Sequence, residues 1–160
     1  MEYYNDVNLA YLYGYIAGFI LVFLVFGVIA YILLAIILSN TSKTNGFYEV
    51  AGLSWIPFVN IFVMFALGSK KPTMLEVKSE ALKYTLIFFG LIILSLIPIL
   101  GILASLASFV LMAYYYFRLF FRWTGDQGKA ILFVVLTFIT GGIFFYIFGL
   151  MSMNKQFVAL

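Results

Sequence analysis

The longest uncharged stretch of the chain constrains its fold most. Leu12–Leu38 contains no charged residue and is longer than the roughly 20 apolar residues that an α-helix needs to cross about 30 Å of hydrocarbon. The polar cluster Ser39–Lys43 ends it. No Lys or Arg precedes it, and it exceeds the roughly 7 to 15 apolar residues of a signal-peptide core. We therefore expect a retained membrane helix.

Composition extends this interpretation to the whole chain. Charged residues make up 9% of it, against roughly 25% in soluble domains. Hydrophobic residues make up 66%, and a water-exposed surface cannot be assembled from the remainder. We predict an all-α integral membrane protein. Because Cys and His are both absent, we expect no disulfide, no metal site and no cofactor. The net charge of +3 is scattered along the chain, so no nucleic-acid partner is expected.

Three further apolar runs follow the first. Val50–Leu67 is barely long enough to cross and is interrupted at Pro57, so both a kinked span and a re-entrant segment are open. Leu82–Phe121 is twice as long as one crossing requires and must fold back near Pro98. Ala130–Met151 forms the last run.

These runs predict a single polytopic helical bundle. Its full spans are expected near residues 12–38, 82–97, 100–121 and 130–151. The segment 50–67, broken at Pro57, is either re-entrant, which leaves four full spans, or a fifth span.

The basic residues orient the predicted bundle. Lys and Arg concentrate in cytoplasmic loops, and the segments 68–83 and 118–129 hold seven of the nine, so both are expected to be cytoplasmic. With five spans, Lys43 and Lys155 lie outside. With the second run re-entrant, only Lys155 does, so the rule favours the re-entrant version by one residue and leaves the side of the N-terminus open.

Two short motifs carry a resemblance. A Trp-x-Pro-x-x-Asn element at residues 55–60 follows the first span, and an Ile-Pro-x-x-Gly element at residues 97–101 joins two helices after a Lys-rich link. Over nearly the whole chain this order resembles a family of small bacterial polytopic membrane proteins of unknown function. The chain lacks the tryptophans that often follow the Lys-rich link in that family. The resemblance implies a multi-pass protein of the bacterial cytoplasmic membrane and lends no activity.

Asn60 is the most deeply embedded strongly polar side chain of the predicted bundle. In one interpretation Asn60, with Ser54, Trp55 and Pro57, contacts a substrate, ion or water beside a broken helix. In the other, which we prefer, Asn60 is structural. It then satisfies carbonyls released by Pro57 or takes the left-handed conformation that we expect of Gly101.

Two further groups of residues are candidates for contacts. Arg118 and Arg122 share a helical face; they either snorkel to fix the cytoplasmic helix end, which we prefer, or, with Lys70 and Lys71, bind anionic lipid headgroups or an acidic partner. Small residues spaced for close helix contact predict packing faces. They are Gly14, Gly18, Gly101, Ser105, Ser108, Gly142 and Gly149.

No catalytic constellation is recognisable. The carboxylates after the N-terminal segment lie in loops and form no motif, so we predict that the protein is not an enzyme, and a lipid-handling enzyme ranks third among the hypotheses. The leading hypothesis is a non-catalytic membrane protein that packs against lipids and a partner membrane protein or a second copy of itself. It would act as an accessory subunit or an immunity-type protective protein. The alternative is a small transporter or channel-like protein that uses Asn60 and Ser54.

Overall fold

The computed structural model is all-helical, as predicted. It describes the backbone of residues 2–159 and the side chains of residue 9 and residues 11–159, and that part of the chain contains no strand. The helices are α1 (Glu2–Thr44), α2 (Tyr48–Ala51), a 3₁₀ turn (Gly52–Trp55), α3 (Asn60–Gly68), α4 (Met74–Leu94), α5 (Pro98–Thr124), α6 (Gln127–Ile139) and α7 (Ile143–Ser152). Within the described residues, Tyr11–Thr44 of α1 and the whole of α5 are long and apolar enough to cross a membrane.

The chain divides into two compact units, Met1–Leu33 and Leu34–Leu160. The N-terminal unit is the first part of α1. Its large apolar side chains from Tyr11 to Ile29 are exposed, for example Tyr15 at 75% and Phe26 at 67%. Apolar surface of this extent requires lipid or another protein around it.

The second apolar run folds back on itself. Pro57 holds Ile56 in an extended conformation, and Phe58 follows with a positive φ of 67°. The nine residues of α3 then extend only about 14 Å. The start and the end of the run lie close to the same side chain: the Arg122 guanidinium is 5.7 Å from the ring of Phe47, just before the run, and it donates to the carbonyl of Leu67, the last residue of the run, at 2.7 Å. The run is a helical hairpin rather than a kinked rod.

Helices α4 and α5 form the expected hairpin at Pro98. Helix α4 begins at Met74, earlier than the predicted start at residue 82, because Thr73 caps it: its hydroxyl accepts from the Glu76 N–H at 3.3 Å and donates to the Glu76 carboxylate at 2.8 Å. Pro98 occupies the first turn of α5, where its missing N–H is harmless. Gly101 is helical, so the expected left-handed conformation was wrong; a Cβ there would lie 2.6 Å from the Ser95 carbonyl oxygen, so glycine permits the close turn.

The prediction of one continuous helix over residues 130–151 was wrong. Gly141 and Gly142 have positive φ values of 60° and 95°, and two consecutive left-handed residues end α6 and start α7 in a new direction. The Phe133 ring lies 5.0 Å from the Phe144 ring and 4.7 Å from the Phe148 ring. Positions 133 and 148 would be about 22 Å apart in one helix, so α7 folds back on α6.

Aromatic side chains fill the core of the C-terminal unit. Phe120 of α5 is fully buried and contacts Phe133 of α6 and Phe145 of α7 at ring distances of 5.7 and 6.1 Å. Phe65 of α3 contacts Tyr115 of α5 at 4.4 Å. Helix α5 is therefore the central element. The hairpin that ends with α3 and the hairpin formed by α6 and α7 both pack against its C-terminal half.

Candidate functional site: the Arg122 junction

Two buried arginines cap the C-terminal end of α3. Arg122 is 3% exposed; its Nη1 donates to the Leu67 carbonyl at 2.7 Å and its Nη2 to the Ser69 carbonyl. Arg118 is 4% exposed, and its Nε donates to the Gly68 carbonyl at 3.2 Å. The last carbonyls of a helix lack intrahelical partners and carry partial negative charge, so guanidinium groups satisfy both needs.

A glycine allows the two helices to approach. A Cβ built at Gly68 would lie 2.5 Å from Cδ1 of Tyr115 and 3.5 Å from Cβ of Arg118. Arg118 and Arg122 are four residues apart on α5, and Tyr115 lies one turn before Arg118, so all three project from one face. The missing side chain at residue 68 lets this face reach the carbonyls of α3.

The chain end after α7 and the end of α1 meet at the same place. The Val158 N–H donates to the Arg122 carbonyl at 2.7 Å, and the Phe157 N–H donates to Oδ1 of Asn45 at 2.6 Å. The Phe157 ring lies 5.1 Å from the Arg122 guanidinium, within cation–π distance, as does the Phe47 ring. We call this meeting point of residues 45–47, 67–69, 118–122 and 157–158 the Arg122 junction.

Positive charge collects at this end of the C-terminal unit. All nine Lys and Arg residues of the chain lie between Lys43 and Lys155, in segments that adjoin the junction or in the first three turns of α4. Lys78 pairs with Glu49. Among the described side chains, no carboxylate lies within 4 Å of either buried guanidinium group. Glu80 lies nearby and accepts from the Ser69 hydroxyl.

A cavity of about 790 Å³ opens at the Arg122 junction. Its charged lining residues are Lys70, Lys71 and Arg122, all cations. The rest of the wall is polar or apolar: residues 44–47, 72–74, Val77, Gln156 and Phe157. The described residues contain no group of three or more His, Cys, Asp or Glu side chains placed to hold a metal ion.

The predicted role of Arg118 and Arg122 at the lipid surface needs correction. Both side chains lie inside the protein and bind backbone carbonyls of α3, instead of snorkelling outward. The carbonyls of a short helix that ends within the protein have no water to bind, and this demand draws the guanidinium groups inward. Lys70 and Lys71 are exposed, and together with Arg122 they line the cavity.

The predicted polar site around Asn60 is not assembled as a polar cavity. Asn60 is 6% exposed and begins α3, with its N–H donating to the Ile56 carbonyl at 3.1 Å. Phe58, and not Asn60, takes the left-handed conformation, so that part of the structural interpretation was wrong. Ser54 is fully buried and Trp55 is 47% exposed.

The cavity beside the break is small and almost wholly apolar. It measures about 330 Å³ and is not lined by any of the four predicted site residues. Its lining residues are Leu53, Phe58, Val59, Phe62, Leu82, Thr85 and Phe89. The Thr85 hydroxyl is already donated to the Ala81 carbonyl at 2.7 Å.

Of the predicted packing glycines in the C-terminal unit, one makes an interhelix contact. A Cβ at Gly149 would lie 3.0 Å from two carbons of Ile37, so α7 packs closely against α1 there. Gly142 serves the turn between α6 and α7, and Gly101 serves the turn before α5. Their spacing therefore reflects backbone geometry as much as packing.

The two predicted packing serines make no interhelix hydrogen bond among the described residues. Ser105 is exposed, and the Ser108 hydroxyl donates to the Ala104 carbonyl of its own helix at 2.9 Å. In the N-terminal unit, nothing that the structure describes lies within 4 Å of a Cβ built at Gly14 or Gly18. That glycine face is open to lipid or to another helix.

Sequence reasoning missed the residues that build the junction. Gly68 and Ser69, Tyr115 and the rings of Phe47 and Phe157 have no motif of their own. One signal was available: a pair of arginines inside an otherwise apolar helix requires backbone acceptors, and the Gly68-Ser69 end of a short helix supplies them.

No protein-family model, curated protein or solved structure matches the chain. The family suggested by the two motifs therefore stays a prediction.

Proposed function

We propose that this chain is a non-catalytic integral membrane protein of the bacterial cytoplasmic membrane that works by associating with a partner membrane protein or a second copy of itself. Helices α1, α4 and α5 cross the membrane. Residues 48–68 and 127–152 are re-entrant hairpins that enter and leave on the cytoplasmic face. The motif resemblance, itself a proposal, agrees with this location.

The contacts at the Arg122 junction are the main support for the proposed membrane topology. The end of α1, both ends of the first hairpin, the end of α5 and the segment after α7 all contact Arg122 or its neighbours. These segments then share one membrane face. All nine Lys and Arg residues fall on that face, a sharper asymmetry than the eight-to-one division expected with a spanning last helix. The positive-inside rule assigns the face to the cytoplasm.

The hairpin lengths support re-entry. Helices α3, α6 and α7 measure about 14, 20 and 15 Å, and each is shorter than the roughly 30 Å of hydrocarbon. The turn between α6 and α7 satisfies its own backbone: the Gly142 N–H donates to the Thr137 carbonyl at 2.7 Å and the Phe144 N–H to the Thr140 hydroxyl at 3.0 Å. Internal pairing is what irregular backbone needs at membrane depth.

The exposed N-terminal unit is the main support for association with a partner protein or a second copy of the chain. Its large apolar side chains from Tyr11 to Ile29 are exposed on all sides of the helix, and Gly14 and Gly18 lie four residues apart with no described atom within 4 Å of an added Cβ. In a membrane, a small-residue face lets a second helix approach closely enough for van der Waals packing.

Association can be tested with a matched pair of variants. Gly27 lies about half a turn round the helix from Gly18 and also has nothing within 4 Å. Energy transfer between labelled chains in liposomes, together with co-purification from native membranes, is expected to fall for Gly18→Leu and to persist for Gly27→Leu. A chain that is monomeric in liposomes and co-purifies with nothing would overturn the proposal.

The transport alternative has less support. Its motivating observation is the Ser54 hydroxyl, which is fully buried without a hydrogen-bond partner among the described residues, close to the break at Pro57. The apolar cavity beside that break offers no polar path. Flux of ions or small solutes through protein-containing liposomes, lost in Asn60→Leu, would favour transport over association.

A further inference from the structure

The cavity at the Arg122 junction has the charge of an anion site. Lys70, Lys71 and Arg122 line it, and none of its described lining residues carries a carboxylate. The lysines are exposed and free to rotate toward a ligand, whereas Arg122 is fixed by its two hydrogen bonds to the Leu67 and Ser69 carbonyls. Mobile ammonium groups beside a fixed guanidinium group are suited to a compact anion.

The Arg122 charge lacks a full counter-charge within the described protein. Its hydrogen bonds go to neutral carbonyls, its neighbouring rings are Phe47 and Phe157, and no described carboxylate oxygen lies within 4 Å. Its Nε is buried without a hydrogen-bond partner. Burying a charge in this way costs free energy, which the two carbonyls offset in part and an approaching anion would offset further.

The size and walls of the cavity narrow the class of ligand. A volume of about 790 Å³ lies within the usual range of roughly 300–1,000 Å³ for small-molecule sites. Thr44 and Gln156, which carry a hydroxyl and an amide group, line the cavity together with the apolar residues Met74 and Val77. This combination fits a polar anionic head with an apolar part attached.

We propose that the cavity binds a phosphate group, presented either by an anionic phospholipid headgroup or by a free phosphate. Guanidinium and ammonium groups are the usual protein ligands of phosphate, and basic pockets between membrane helices on the cytoplasmic side bind lipid phosphates. The lipid source rests on the proposed membrane topology; the phosphate chemistry rests on the cavity alone.

Binding is measured on the whole chain in detergent micelles. The first arm adds dioleoyl phosphatidylglycerol or, for comparison, zwitterionic dioleoyl phosphatidylcholine and counts bound lipids by native mass spectrometry. The second arm adds inorganic phosphate and measures the melting temperature of the protein. A chloride salt at equal ionic strength, without phosphate or sulfate, is the control. The test variant is Lys70→Gln/Lys71→Gln. The matched control, Lys83→Gln/Lys129→Gln, removes the same charge from residues that do not line the cavity.

We expect phosphatidylglycerol to bind in preference to phosphatidylcholine, and the cavity variant to weaken that binding by about tenfold or more, since each lysine near an anionic lipid contributes substantially. The control is expected to change affinity less than about threefold. Stabilisation by inorganic phosphate alone, lost in the cavity variant, would assign the site to free phosphate. An equal loss of binding affinity in the cavity variant and the control variant, or no binding of either phosphatidylglycerol or inorganic phosphate, overturns the proposal. The proposed association is tested separately by Gly18→Leu, and neither of these results affects that test.

Discussion

The approach of α3 to α5 predicts that a single added methyl group destabilises the protein. In Gly68→Ala the new Cβ would lie 2.5 Å from Cδ1 of Tyr115, about 1 Å inside an ordinary carbon–carbon contact. Tyr115 is 1% exposed and is held between the rings of Phe65 and Tyr84, at 4.4 and 5.5 Å, so it has no room to withdraw. Overpacking of this kind costs about 1–3 kcal/mol.

The same substitution elsewhere supplies the control. Gly90 lies inside α4 with nothing within 4 Å of its Cβ position, so Gly90→Ala is expected to gain about 0.5–1 kcal/mol from helix propensity. Gly68 is the last residue of α3 and gains less, so we expect the two variants to differ by about 2 kcal/mol in unfolding free energy. Unfolding in mixed micelles, or steric trapping in bicelles, measures this difference. Equal stability of the two variants would refute the tight approach at Gly68.

Substitutions at three further positions, two of them with a comparison variant, test other parts of the fold by the same unfolding measurement. Arg122→Met removes the hydrogen-bond donors of the Leu67 and Ser69 carbonyls and is expected to lose about 2–5 kcal/mol, with partial recovery in Arg122→Lys. Gly142→Ala places a side chain at a φ of 95° and is expected to lose about 1–2 kcal/mol, whereas Gly52→Ala, at a φ of −66°, is expected to be neutral. Asn60→Leu is expected to leave stability unchanged or raise it, because an apolar side chain at this 6% exposed position removes the cost of burying an amide. A large loss on Asn60→Leu would restore the structural-cap interpretation.

Sequence periodicity and length could predict the helical class and the hairpin at Pro98. An apolar stretch of twice the hydrocarbon thickness must turn, and Pro98 with Gly101 was the one place where the backbone could do so. The start of α4 was missed by several residues because a Thr73 cap and a Glu76 carboxylate stabilise a helix start that apolar content does not reveal.

The break at residues 140–142 could not be predicted with the same rules. Thr140, Gly141 and Gly142 occur in an otherwise apolar stretch of spanning length, and glycine is more frequent in membrane helices than in soluble ones. Only the aromatic contacts between α6 and α7 show that the chain reverses there. The burial of Arg118 and Arg122 could not be predicted for a related reason: an arginine that snorkels to the membrane surface and one that is buried can have the same sequence neighbours.

The location of the segment after α7 tests the central claim most directly. The chain contains no cysteine, so Lys71→Cys and Gln156→Cys can each be labelled with a membrane-impermeant maleimide without removing any other thiol. Both positions are exposed and line the same cavity. We predict that both cysteines react in inverted membrane vesicles and that neither reacts in right-side-out vesicles. Labelling of Gln156→Cys from the face opposite to Lys71→Cys would contradict the re-entrant hairpin and the Arg122 junction with it.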